Sequence, residues 1–195
     1  MSGELAKKWR EAFYETIERW EYAAVLKEAS KKGPLREWTR LLTQMAVEAC
    51  SRLNWLASAR GHRLELLAIS KGEYLSLDVV AFGDGQKRWR FPKAVFELEN
   101  SLQDDRIGYS LWKVLCIRAD LRVVICYRRT GDAVSDLVQS LRAEVVEFMG
   151  IHGRLCLQGQ TLLVVGSRED AENFPYGFFK WWHLDENTGK FQLFR

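Results

Sequence analysis

Residues Leu77–Ser101 read LDVVAFGDGQKRWRFPKAVFELENS, and the alternation in the second half sets the problem. Side chains of a strand alternate faces, so in "AVFELEN" Ala94, Phe96 and Leu98 share one face and Val95, Glu97 and Glu99 share the other. Two carboxylates about 7 Å apart on one strand face repel each other unless water, a cation or basic side chains compensate them. Asp78, earlier in the same stretch, is an acid set in the otherwise apolar "YLSLDVVAF". An antiparallel pairing of the two segments would gather the three acids into one patch, although the long connection leaves the register open. Neighbouring Lys and Arg residues can supply the counter-charge as ion pairs. So can a hard divalent cation, since Mg²⁺ takes a few carboxylates and fills its remaining positions with water and substrate phosphate oxygens.

The order of elements follows from periodicity on either side of this stretch. Leu5, Trp9, Ala12, Phe13, Ile17 and Trp20 recur at helical spacing, predicting an N-terminal helix over about 4–30 that ends near "KKGP". A second helix starts around Leu35, with Trp38, Leu41, Leu42, Met45, Ala49, Leu53 and Leu56 in one stripe and Glu48 at its edge. Three strand candidates follow as a meander: Arg63 to Ser70, Tyr74 to Phe82 and Ala94 to Asn100. Ile107, Leu111, Val114 and Leu115 mark a helix, and the apolar run "LRVVICY" directly after it reads as a strand buried on both faces, which suggests a crossover connection. A helix over about Ala133 to Met149, a strand at "TLLVVG" and an aromatic hairpin around "ENTG" complete a single domain over 1–195.

Composition bounds the function. With 195 residues, 47% of them hydrophobic, the chain is long enough to bury a sizeable core. A net charge of +3 argues against a protein that coats polyanions but leaves room for a local basic patch. Cys50, Cys116, Cys126 and Cys156 form no C-x-x-C pair and read as reduced core cysteines of a cytoplasmic protein. No run approaches the ~20 apolar residues of a membrane span, so no membrane partner is expected.

An acid-bearing helix, three meander strands, a helix and a buried strand make an αβββαβ core over about 36–127, with acids on its second and third strands. In this the sequence resembles the PD-(D/E)xK, or restriction-endonuclease-like, nuclease superfamily. Asp78 matches the first acid of the motif, Glu97 matches the (D/E), and Glu48 matches the extra acid that many members carry on the preceding helix. The resemblance implies an α/β (α+β) fold with a central mixed sheet flanked by helices, and Mg²⁺- or Mn²⁺-dependent hydrolysis of DNA. Asp78, Glu97 and Glu48 would hold the metal. Where the pattern has lysine, two positions after Glu97, this chain has Glu99. Some members carry glutamate there, and in others the lysine has moved to the next helix, where Lys113 of "SLWKVL" is the candidate. Glu99 would ligate the metal or act as base, and Lys113 would orient water and stabilise developing charge. A member that has lost its lysine can also be an inactive module that binds nucleic acid or a protein partner.

The connection "GQKRWRFPK" interleaves Lys87, Arg88, Arg90 and Lys93 with Trp89 and Phe91, a composition suited to phosphate contacts and base stacking or to a solvated arm. His62, His152 and His183 stand in no metal-binding spacing, and neither "GDG" nor "NTGK" has the spacing of a phosphate loop. Paired carboxylates also serve glycosidases, but no sugar-binding framework accompanies them. Phe178, Phe179, Trp181, Trp182, Phe191 and Phe194 read mainly as core, with a homodimer contact through the C-terminal hairpin as a further expectation.

Overall fold

The structure is a computed structural model that describes residues 4–32, 35–65, 67–69, 73–85 and 88–194, without the side chains of 20–22, 30–32, 35 and 36. Three helices come first: α1 (Glu4–Ile17), α2 (Trp20–Lys32) and α3 (Leu35–Arg52). The expected N-terminal helix is thus two helices. Strands β1 (Leu56–Ala59), β2 (Val79–Phe82) and β3 (Ala94–Leu98) form the meander, and α4 (Asp104–Leu115) crosses to β4 (Leu121–Arg128). Then come α5 (Gly131–Leu141), a π-helical turn at Arg142–Val146, α6 (Gly150–Leu155), β5 (Gln160–Ser167), β6 (Phe179–Asp185) and β7 (Lys190–Leu193).

The seven strands form one mixed sheet in the order β1-β2-β3-β4-β5-β6-β7. The pairs β1–β2, β2–β3, β5–β6 and β6–β7 are antiparallel, and β3–β4 and β4–β5 are parallel. Parallel neighbours need a crossover, and α4 provides it between β3 and β4. The αβββαβ order and the flanked mixed sheet are those expected from the sequence.

Both faces of the sheet are covered. Ala94, Phe96 and Leu98 point to the face packed by α1 and α3, where Trp9 and Phe13 meet Trp181. Val80, Val95, Val124 and Cys126 point to the other face, which Ile107, Leu111 and Val114 of α4 cover. Every residue of β4 is buried, which explains its apolar run over 123–126, and the buried Arg122 beside that run donates to the Ile117 and Gln158 carbonyls. Helix α4 carries Asp104 and Asp105 in its first turn and Lys113 in its last, each favourable to the helix dipole. Thr130 caps α5 by accepting the Ala133 N–H at 3.3 Å.

The first strand is not where the sequence places it. Helix α3 stops at Arg52, and Asn54 takes φ 58°, a left-handed conformation that asparagine tolerates and that ends the helix. Leu56, which continues the helical stripe, therefore opens β1, while 63–65 and 67–69 are not strand. Of the expected strand Tyr74 to Phe82 only Val79–Phe82 is paired as strand, and Tyr74–Ser76 forms a 3₁₀ turn. The cysteines also divide, since Cys50 and Cys126 are buried whereas Cys116 and Cys156 are exposed.

Candidate active site

The register of β2 and β3 decides where the acids go. Val79 pairs with Phe96 and Val80 with Val95, so one further step places Asp78 opposite Glu97. Glu97 shares a face with Val95, the face covered by α4, whereas Asp78 precedes β2 and borders a cleft lined by residues of α3. Asp78 is half-buried and its Oδ2 accepts the Leu98 N–H at 2.7 Å, a bond that ties it to the end of β3. Glu97 is buried at 6% exposure. Its Oε2 accepts from Ser110 Oγ at 3.2 Å, and its Oε1 lies 2.8 Å from Lys113 Nζ as an ion pair.

Helix α4 thus delivers two partners to one carboxylate. Ser110 and Lys113 are one turn apart, so both reach Glu97 from the same side of the helix. Lys113 Nζ also donates to the Ser76 carbonyl at 2.9 Å. That carbonyl belongs to a strained turn, because Leu75 and Ser76 have φ 57° and 54° without being glycine. The ammonium therefore joins Glu97 to the turn that leads into Asp78.

Electrostatics at this centre favour the arrival of positive charge. Burial pushes the Asp78 carboxyl above its usual range, helped by Glu73 and Glu99 and opposed by the Leu98 N–H and Lys113. Burial likewise pushes Glu97 up, with Asp78 adding to the rise, while Lys113 and Ser110 oppose it. One lysine does not offset the desolvation of two acids.

Glu99 sits half-buried at the end of β3, where its Oε1 accepts the Ser101 N–H at 2.7 Å. Glu48 departs from expectation. It pairs with Arg19 at 3.3 Å, about 16 Å further along α3 than Glu37. The acid that α3 brings toward Asp78 is Glu37, which lines a cleft of about 660 Å³ together with Glu73, Asp78, Arg40, Thr43 and Arg60. Arg40, 2.6 Å away, holds the Glu37 carboxyl below its usual range. Neither Glu37 nor Glu73 stood out in the sequence. The only signal was that Glu37 shares the helical angle of Glu48 about three turns earlier.

The basic arm lies elsewhere. It leaves the hairpin between Phe82 and Ala94, whereas the acids stand at the other ends of β2 and β3. From Lys93 to Glu97 is about 13 Å along the strand. Arg88 is exposed, Arg90 is half-buried, and Lys93 pairs with Asp120 at 2.7 Å. Lys87 lies outside the described residues. Trp89 and Phe91, 60% and 80% exposed, line a second cleft of about 520 Å³ with Arg90, Lys93 and Arg118. In the C-terminal hairpin Phe178, Phe179 and Trp181 are buried, mostly against α1 and α3, while the edge strand β7 stays largely exposed.

Whether these residues suit a divalent cation turns on donor chemistry. Among the described residues no group of three or more His, Cys, Asp or Glu side chains converges on a common metal position. An all-protein cage is therefore not formed. Mg²⁺ does not require one, since one or two carboxylates with water and phosphate oxygens suffice. Asp78 and Glu97, two carboxylates close enough for the charge of the first to act on the second and both raised by burial, fit that partial shell.

No family model and no curated protein matches the chain. Among solved structures it is similar to E. coli MS115-1 NucC in the cAAA-bound form, at a TM-score of 0.46 and 10% identity over 100% of this chain and 84% of that one. Among the described residues no helix is long and apolar enough to cross a membrane.

Proposed function

We propose that the chain is a Mg²⁺- or Mn²⁺-dependent nuclease that hydrolyses phosphodiester bonds of DNA. The observation that carries this reading is the closeness of Asp78 and Glu97 at the adjoining ends of β2 and β3, where the Asp78 charge acts on Glu97, with the Lys113 ammonium 2.8 Å from Glu97. Asp78 and Glu97 would hold the cation, and Glu37 and Glu73, which line the cleft with Asp78, would add negative charge beside it, as would Glu99. A bound divalent cation supplies charge stabilisation for the phosphodiester and lowers the pKa of water. Lys113 supplies the fixed positive charge beside the carboxylates, where it can orient the attacking water or meet a phosphate oxygen. Ser110 keeps the Glu97 carboxylate from rotating. The arm residues Arg88, Arg90 and Lys93, with Trp89 and Phe91, would grip nucleic acid at a distance from the cut rather than beside it. A homodimer would use the exposed edge of β7, because most of the hairpin's aromatic surface is already covered.

A second reading has one observation in its favour. Lys113 is engaged by both Glu97 and the Ser76 carbonyl, as in an acid site held closed by its own lysine. On that reading the chain is an inactive nuclease-fold module that binds nucleic acid or a protein partner. Thermal melting with and without Mn²⁺ separates the two. A ligand at 100 times its Kd stabilises the folded state by about 2.7 kcal/mol, so a competent site raises the melting temperature by several degrees and Asp78→Asn abolishes the rise. No rise in the wild type, with DNA binding intact, favours the inactive module.

A further inference from the structure

Helix α4 has two sides of opposite character. Ile107, Leu111 and Val114 are fully buried, whereas Tyr109 and Trp112 on the outer side are 60% and 54% exposed. The two exposed rings stand one turn apart and are stacked, with centroids 5.9 Å apart and planes inclined by 24°. They hold each other in a defined orientation, and more than half of each residue is open to water.

Their neighbours show what would cover them. Lys113 Nζ lies 5.7 Å from the Tyr109 ring centroid and 2.8 Å from Glu97, so the aromatic pair begins where the carboxylate centre ends. Arg106, exposed and one turn before Tyr109, is on the same side of the helix. Arg118, just beyond the other end of α4, lines the cleft that holds the exposed Trp89 and Phe91. A ligand lying along α4, about 18 Å long, would meet a flat aromatic surface and a cation at each end. This pattern matches a nucleic-acid strand whose bases stack and whose phosphates pair with Lys and Arg. In a closed duplex the base faces are covered by their neighbours, so only an unpaired or terminal base can lie on the rings.

We propose that Tyr109 and Trp112 form a base-stacking platform that holds an unpaired nucleotide beside the Asp78–Glu97 centre. This makes single-stranded or frayed DNA the preferred substrate, and it rests on the nuclease reading above. Binding is measured by fluorescence anisotropy in EDTA, with labelled oligothymidylate and with a blunt duplex of equal length. The proteins are the wild type, Tyr109→Ala with Trp112→Ala, and Trp112→Phe. Loss of stacking should weaken single-strand binding of the double variant about five- to a hundredfold, leave duplex binding within about twofold, and be largely avoided in Trp112→Phe, which keeps a ring. Unchanged single-strand affinity, or equal loss on both substrates, overturns the platform. So does a change of sedimentation with DNA affinity unaltered, which would make this face a contact between copies of the chain. If the wild type cuts DNA with Mn²⁺ while the platform variant binds single strands normally, the platform fails and the nuclease stands. If the wild type neither binds nor cuts, both fail.

Discussion

The Lys113 ammonium lies 2.8 Å from the Glu97 carboxylate and 2.9 Å from the Ser76 carbonyl, so one helical side chain ties the acid of β3 to the turn that leads into Asp78. Glu97 is raised by burial in spite of this partner. Without Lys113 its carboxyl rises further, and the ionised form is left buried and unpaired. That penalty is complete above the folded pKa of Glu97 and disappears as the pH falls through it, because a proton then neutralises the charge. Lys113→Ala should therefore lose roughly 1–3 kcal/mol at neutral pH and much less in acid. Urea unfolding of both proteins across this range checks it, and a loss of constant size at all pH values contradicts the ion-pair account.

Asp78 has the opposite effect on stability. Its folded pKa is raised, so the folded state binds the proton more tightly than the unfolded chain, and stability falls as the pH climbs through the raised value. Asp78→Asn removes the charge but keeps an oxygen for the Leu98 N–H. In EDTA at neutral pH it should melt higher than the wild type, and its stability should vary less with pH. If the carboxylate were instead a structural anion, the variant would melt lower.

Glu37 and Glu48 test how α3 faces the site. Glu37 lines the cleft with Asp78, and Glu48 pairs with Arg19. Glu37→Gln is expected to reduce metal-dependent cleavage about tenfold, an effect of ~1.4 kcal/mol on the barrier. Glu48→Gln should leave it within about twofold. The reverse pattern in matched cleavage assays would restore Glu48 to the site.

The turn before Asp78 stores strain. Leu75 has φ 57° and is 58% exposed, so replacing it with glycine relieves the left-handed conformation while giving up little burial. Leu75→Gly should be stabilising by about 0.5–1 kcal/mol, whereas the same change at an ordinary exposed position costs stability. A clear loss by chemical denaturation would show that the turn is not strained.

Much of this centre is legible in the residues. Alternation in "AVFELEN" places Glu97 on the face away from Phe96, and helical spacing puts Lys113 at the border of the α4 stripe. Asp78 is conspicuous as an acid among apolar neighbours. What periodicity cannot give is level along an axis. Glu37 and Glu48 share a helical angle, and which one meets the strands depends on where β2 begins, a tertiary property. The first strand was obscured for a similar reason, because Leu56 continues the helical stripe while the left-handed Asn54 breaks the helix. The arm carries the composition expected of a nucleic-acid contact, but its position follows from hairpin direction, which puts it at the far end from the acids. Tyr109 and Trp112 fall at helical spacing like core residues, and only the burial of the opposite side of α4 shows that they face water.

The central claim is that Asp78 and Glu97 form a hydrolytic metal site. It is tested most directly by Mn²⁺-dependent cleavage of end-labelled single- and double-stranded DNA by the wild type and by Glu97→Gln, which keeps the side chain's size, one acceptor oxygen for Lys113 and an amide that can donate to Ser110 Oγ. The wild type should cut, cutting should stop in EDTA, and Glu97→Gln should be slower by about a hundredfold or more, equivalent to ~2.7 kcal/mol of lost transition-state stabilisation. No cutting by the folded wild type with Mn²⁺ or Mg²⁺, or equal cutting by Glu97→Gln, would contradict it.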